Sequence, residues 1–277
     1  MIVVNKKDGD RMKVEKTGIL HEVSGSKEAD ELLRLALDVG GEMLKAGGEI
    51  SRVEDTIIRI CKAYKAEHVE VFAIPSLMVA AVRMADGAYS SQIRRVYGTE
   101  NNLQKIEIFN AISRDICTNT PDFAEVDRMV HDAKRKRSYP IWARILAASV
   151  VASAFAVLFG GNIWDGLAAA LIGVIIYVVD MIPIDRVNRL AKLALQSFLG
   201  GLLACLSVKI GFGHDVGMIM IGTIMLLVPG LSFNTALRDL LCGDLLAGTL
   251  KTVQCILAAL MIAAGYLLAM VLVGGFA

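Results

Sequence analysis

Apolar residues recur at helical spacing as soon as the chain passes Glu28. Leu32, Leu33, Ala36, Leu37, Gly40, Met43 and Leu44 form one stripe, and Gly47-Gly48 ends it with residues that a helix C-cap favours. A second helix is predicted from about Ser51 to Lys65. Ser51 is its expected N-cap, Glu54 closes a capping box, and Val53, Ile57, Ile60 and Cys61 or Tyr64 lie on its buried face. The period then switches to two. Residues 68–74, 77–83 and 88–97 are β-rich and separated by Pro75-Ser76 and Asp86-Gly87, which predicts three strands in an antiparallel meander. Asp86-Gly87 is the most specific turn signal, because a tight hairpin needs positive φ and those residues tolerate it. Two further helices follow, about 102–118 and 123–136, the latter preceded by Pro121-Asp122. Residues 1–27 mix charge with Gly and Ser without periodicity and read as a flexible leader outside the packed core.

Polar positions thin out sharply after Pro140. Apolar runs cover about 141–159, 164–183, 193–210, 216–228 and 245–276, and most approach the ~20 residues that a bilayer-spanning helix needs. The fourth is short, since its thirteen residues rise only about 20 Å against a hydrocarbon thickness of about 30 Å. To cross, it must continue through Pro229-Gly230. The expected fold class is an α+β cytosolic N-terminal domain over 28–138, with two helices, a three-stranded antiparallel sheet and two helices. An all-α membrane domain of five transmembrane helices follows over 139–277.

The mean hydropathy of +0.55 averages these unlike halves, for only about 13 of roughly 57 charged residues follow Pro140 and no Glu does. The first half is nearly neutral, which gives no electrostatic case for nucleic acid. Lys134-Arg135-Lys136-Arg137 stands directly before the first apolar run and reads as a cytosolic stop under the positive-inside rule. The next two loops alternate as that rule requires: Gly160-Gly161-Asn162 carries no cation, and the segment holding Arg186, Arg189 and Lys192 carries three. Five spans with the N-terminus inside and the C-terminus outside fit the bias. The N-terminus has no apolar core of signal-peptide length. The five cysteines form no CxxC pair and read as reduced, structural residues.

Candidate chemistry concentrates in the second half. Between two apolar runs, Pro229-Gly230 and the polar residues Asn234, Thr235, Arg238, Asp239 and Asp244 interrupt what would otherwise be lipid-facing helix. Freed backbone and charge at membrane depth are tolerated only where protein or a water-filled cavity receives them, so this segment is the first candidate substrate site. A helix N-terminus after Pro229-Gly230, together with Arg238, suits a carboxylate-bearing solute; the competing reading is a solvated cytosolic connection. Asp180, near the inner end of the second span, is a candidate proton carrier or a headgroup-level partner of Arg186 or Arg189. Asp165 and Asp215 lie at outer ends and read as solvated. In the cytosolic domain, Glu49, Arg52 and Glu54 beside Gly47-Gly48 form a charged helix start that is either an anion contact or an internal ion pair. The four histidines are scattered singly, and no GxSxG, HExxH, P-loop or CxxC is present, so no metal, cofactor or enzyme chemistry is expected.

Two segments carry a family resemblance. Gly40-Gly41-Glu42-Met43-Leu44-Lys45-Ala46-Gly47-Gly48-Glu49-Ile50-Ser51-Arg52-Val53-Glu54, and Pro229-Gly230 with Asn234-Thr235-Ala236-Leu237-Arg238-Asp239-Leu240 and Gly243-Asp244, resemble the motifs of the ThrE threonine/serine exporters. The size is similar to the family's split form, in which a YjjP-like subunit works with a smaller five-helix YjjB-like membrane subunit. The resemblance implies a secondary transporter subunit in a prokaryotic inner membrane, exporting small amino acids or succinate-like dicarboxylates with proton coupling. It places the transport site on Pro229, Gly230, Asn234, Arg238, Asp239 and Asp244. Five spans do not divide into two equal halves, so a second subunit or a homo-oligomer is the natural complement. Two alternatives remain open from sequence: a membrane-anchored regulatory or hydrolytic protein acting through its first domain, and a passive small-solute channel.

Overall fold

The computed structural model of the 277-residue chain describes residues 27–136, 139–182 and 188–274. The expected leader and the Asp185-Arg186 segment lie outside the described residues. In the N-terminal part, α1 (Lys27–Lys45) and α2 (Ile50–Ala63) pack on one face of a three-stranded antiparallel sheet. Its strands β1 (Ala66–Ile74), β2 (Leu77–Met84) and β3 (Tyr89–Arg95) lie in sequence order, with Val71 opposite Ala80 and Ala81 opposite Ser91. Ala73, Met78, Ala80 and Val82 are buried toward the helices, whereas Phe72 and Ile93 stay exposed. At the β2–β3 hairpin, Gly87 has φ +85°, and Met84 N–H reaches Ala88 O at 2.8 Å, as the Asp-Gly pair predicts. The helices α3 (Leu103–Asn119), capped by Asn102, and α4 (Phe123–Arg135) complete a core in which Leu32, Leu33, Leu37, Met43 and Phe109 are fully buried.

The predicted capping box does not form. The helix α2 begins at Ile50, with Glu49 as N-cap and no side-chain cap bond, so Ser51 is already inside the helix. Glu54 is taken by the neighbouring strand instead, where its carboxylate accepts from Ala73 N–H at 2.7 Å. An unpaired strand N–H outcompetes a helix-end donor here because the same contact also docks α2 on β1.

The second part is helical throughout: α5 (Ile141–Leu158), α6 (Ile163–Met181), α7 (Arg189–Lys209), α8 (Val216–Leu227), α9 (Gly230–Cys242) and α10 (Leu245–Gly274). Among the described residues four of these are long and apolar enough to cross a membrane, and α8 with α9 makes a fifth if the pair is one span bent by 55°. Small residues set the packing. A Cβ on Gly201 of α7 would lie 2.8 Å from the Ala269 Cβ of α10, and one on Gly222 of α8 would strike the Ala152 carbonyl of α5, so these helices approach at backbone distance. At the end of the bundle remote from the N-terminal part, Asp165 is 2% exposed, not solvated as expected. It closes a capping box with Asn162 and accepts from the N–H groups of His214 (2.6 Å) and Asp215 (3.0 Å), joining the α5–α6 turn to the start of α8. Asp215 remains exposed and caps α8 through Met218 N–H.

Candidate functional site

The fourth apolar run breaks at the Pro229-Gly230 pair. Pro229, with no side-chain cap, is the N-cap of α9, and Gly230 N–H turns back to Val228 O at 2.9 Å. Beside this break lies a cavity of about 820 Å³. Each surrounding helix contributes one stripe at helical spacing: Arg144, Ala148 and Val151 from α5; Tyr177 and Asp180 from α6; Arg189, Lys192 and Gln196 from α7; Lys251, Cys255 and Ala258 from α10. Pro229, Ser232 and Thr235 line the side formed by the break, and Gly98, Thr99 and Asn101 of the β3–α3 loop roof it.

Asp180 and Pro229 therefore sit in the cavity wall. Among the described residues Asp180 is partnered by Lys192, whose Nζ lies 3.2 Å from its carboxylate, and by Gln196, which donates to it at 3.3 Å, and not by Arg189; Arg186, the other expected partner, lies outside the described residues. One helical turn separates Lys192 from Gln196, so α7 presents both to α6 together. Arg189 points instead to the roof and donates to Thr99 O at 2.9 Å.

Arg238, Asp239 and Asp244 are turned the other way, onto the N-terminal part. Arg238 Nη1 is 2.8 Å from Glu49 Oε1. Asp239 is 1% exposed; one carboxylate oxygen accepts from Ile50 N–H at 3.1 Å and the other from Lys251 Nζ at 2.7 Å, while Lys251 also reaches Gly48 O at 3.3 Å. The helix start of α2 thus binds an anion, and that anion is the chain's own Asp239. Asp244 N–H donates to Asp239 O at 2.9 Å, and its Oδ2 is buried without a hydrogen-bond partner among the described residues. Burial raises the Asp244 carboxyl above its usual range, and the Asp239 charge adds to this against the pull of Lys251. Glu54 is raised as well, by burial first and by the Asp244 charge, with the Ala73 N–H bond opposing. Asn234 and Arg52 are exposed without side-chain partners among the described residues, and Gly230 has open space around it.

The sequence reading missed Arg144, Tyr177 and Gln196; it read Lys192 and Lys251 only as topological charges, and Arg189 as one of these and as a possible partner of Asp180. Lone polar positions recurring with a helical period inside apolar runs were the available signal, but nothing in a single span says that five stripes meet.

Several apolar helices, one of them broken beside a cavity with a charged wall, define a multi-pass membrane transporter rather than an enzyme. The chain belongs to the ThrE family, whose model, described as "Putative threonine/serine exporter", matches residues 34–273. A curated relative from Klebsiella aerogenes, named "Probable succinate transporter subunit YjjP", is 22% identical over 250 residues, spanning 89% of this chain and 96% of that protein. No solved structure matches the chain.

Proposed function

We propose that the chain is one subunit of a proton-coupled secondary exporter of small carboxylate-bearing solutes, threonine- or serine-like amino acids or succinate-like dicarboxylates. It would work in a prokaryotic inner membrane with its N-terminal part in the cytosol. The observation that carries this reading is the cavity at the break of α8 and α9, where opened backbone and cationic side chains meet beneath the N-terminal part. A solute collected from the cytosol would enter below the β3–α3 loop. The N-terminus of α9 and the wall cations would neutralise its carboxylate, with Ser232 and Thr235 orienting it. Arg238 and Glu49 then hold the cytosolic part against α9. Asp244 is the coupling carboxylate, because its buried, unpartnered oxygen gains most from a proton. Asp180, paired with Lys192, holds the wall.

The test is export from preloaded vesicles containing this chain and a co-expressed YjjB-like partner. Collapse of the proton gradient is expected to stop export, and unchanged flux would establish a passive channel. In the same vesicles Arg238→Ala is expected to lower rate with little change in affinity. A collapse of affinity would return the carboxylate contact to Arg238.

A further inference from the structure

Arg144 is the single charged residue of α5, and its guanidinium has no hydrogen-bond or ion-pair partner among the described residues. Guanidinium stays charged at any physiological pH and carries five donors in a rigid fork, so a lone one at the edge of an apolar span needs an anion. Snorkelling toward lipid headgroups is one way to satisfy it. Its stripe argues against that, since Ala148 and Val151, one and two turns further along α5, line the same cavity.

Arg189 enters from the other flank. The helices α6 and α8 each pack against both α5 and α7, so the two arginines come from opposite sides of the bundle. Among the described residues only Nη1 of Arg189 is engaged, by the Thr99 carbonyl. Of the other wall cations, Lys192 is matched by Asp180 and Lys251 by Asp239. Among the described residues the wall is left with two cations that no carboxylate pairs with, and its one acid already serves Lys192.

We propose that Arg144 and Arg189 are the solute-recognising residues of the cavity, each taking one carboxylate of a small dicarboxylate. The proposal rests on the transport reading above. An α-amino acid would match one arginine but set its ammonium near the other with no free carboxylate to receive it, so the pair selects by repulsion as well as attraction.

The experiment uses inside-out vesicles of the chain with its partner subunit and follows uptake of labelled succinate, with threonine and lactate as competitors. Wild type takes up succinate, and each competitor is at least about tenfold weaker. Arg144→Gln raises KM for succinate roughly ten- to a hundredfold, on the scale of a lost charge-assisted hydrogen-bond pair. It also narrows the preference for succinate over lactate, which a merely structural role would leave unmoved. Arg144→Lys keeps charge without the fork and falls between. A measurement on unmutated protein guards against misfolding of the variants: succinate, but not threonine, protects Arg144 from phenylglyoxal, read by mass spectrometry. A KM within about twofold of wild type in folded Arg144→Gln, or modification of Arg144 that ignores succinate, overturns the proposal. Vesicles that carry threonine but not succinate overturn it and leave the exporter reading standing. Vesicles that move none of the three overturn both.

Discussion

Asp239 sits in a 1% exposed position and is tolerated because Lys251 and the Ile50 N–H occupy both carboxylate oxygens. Breaking such a pair from one side leaves an uncompensated buried charge and costs roughly 3–5 kcal/mol. Lys251→Met is therefore expected to lower the thermal midpoint in detergent sharply. Asp239→Asn combined with Lys251→Met should recover most of the loss, because the amide oxygen still accepts from Ile50. A single variant as stable as wild type would show that the pair contributes nothing. Asp244 and Glu54 give a pH dependence of defined sign. Both carboxyls are raised in the folded protein, by burial first, so the native state holds protons that the unfolded chain has released. Their contribution is complete below the unfolded values, near about 4, and is lost as pH rises through the folded ones. Melting scans from pH 4 upward should show Asp244→Asn falling less steeply with pH than wild type; parallel curves would remove Asp244 from the account.

At the scale of elements, α9 serves two surfaces. Its first turns face the cavity through Ser232 and Thr235, and its last turn grips the start of α2 through Arg238 and Asp239. The β3–α3 loop adds a second attachment, where Asn101 Nδ2 lies 3.1 Å from Ser232 Oγ. The N-terminal part is thereby fastened to α9, beyond the break, and to the roof of the cavity at once. Replacing Asn101 and Ser232 by cysteines, with the exposed Cys242 changed to serine, is expected to give an oxidisable pair that blocks export and releases it on reduction. Undiminished export with the pair fully oxidised would show that the roof does not move during transport.

Across the whole molecule, the helical part leaves much apolar surface uncovered. Most of α5 and α10 is left unburied within the chain, and Leu246, Leu250, Val253, Leu257 and Leu260 of α10 are exposed. Lipid satisfies such surface, and so does a second membrane subunit. On the proposed function, in which this chain is one subunit of an exporter, the second occupant takes part of it; the Klebsiella aerogenes relative is itself named as a subunit. Co-expression with a five-helix partner is expected to yield a complex that survives detergent and size-exclusion chromatography, with export at least about tenfold above that of this chain alone. Equal export by the lone chain would assign the surface to lipid or to self-association.

Local pattern determined a great deal by itself. The meander, the flanking helices, the apolar spans and the break at Pro229-Gly230 all follow from periodicity, turn chemistry and span length, which depend on residues near one another in sequence. The family was legible too, because its motifs are contiguous. Ser51 as a cap, Asp165 as a solvated acid, and Arg189 as a partner of Asp180 went astray for a common reason: a polar side chain goes to whichever donor or acceptor tertiary packing brings within 3 Å or so. Glu54 found a strand, Asp165 found the start of α8, and Asp180 found Lys192. The cavity belongs to the same category. Arg144, Tyr177, Arg189 and Lys251 come from four helices spread over more than a hundred residues, and only the packing of those helices makes their stripes one wall.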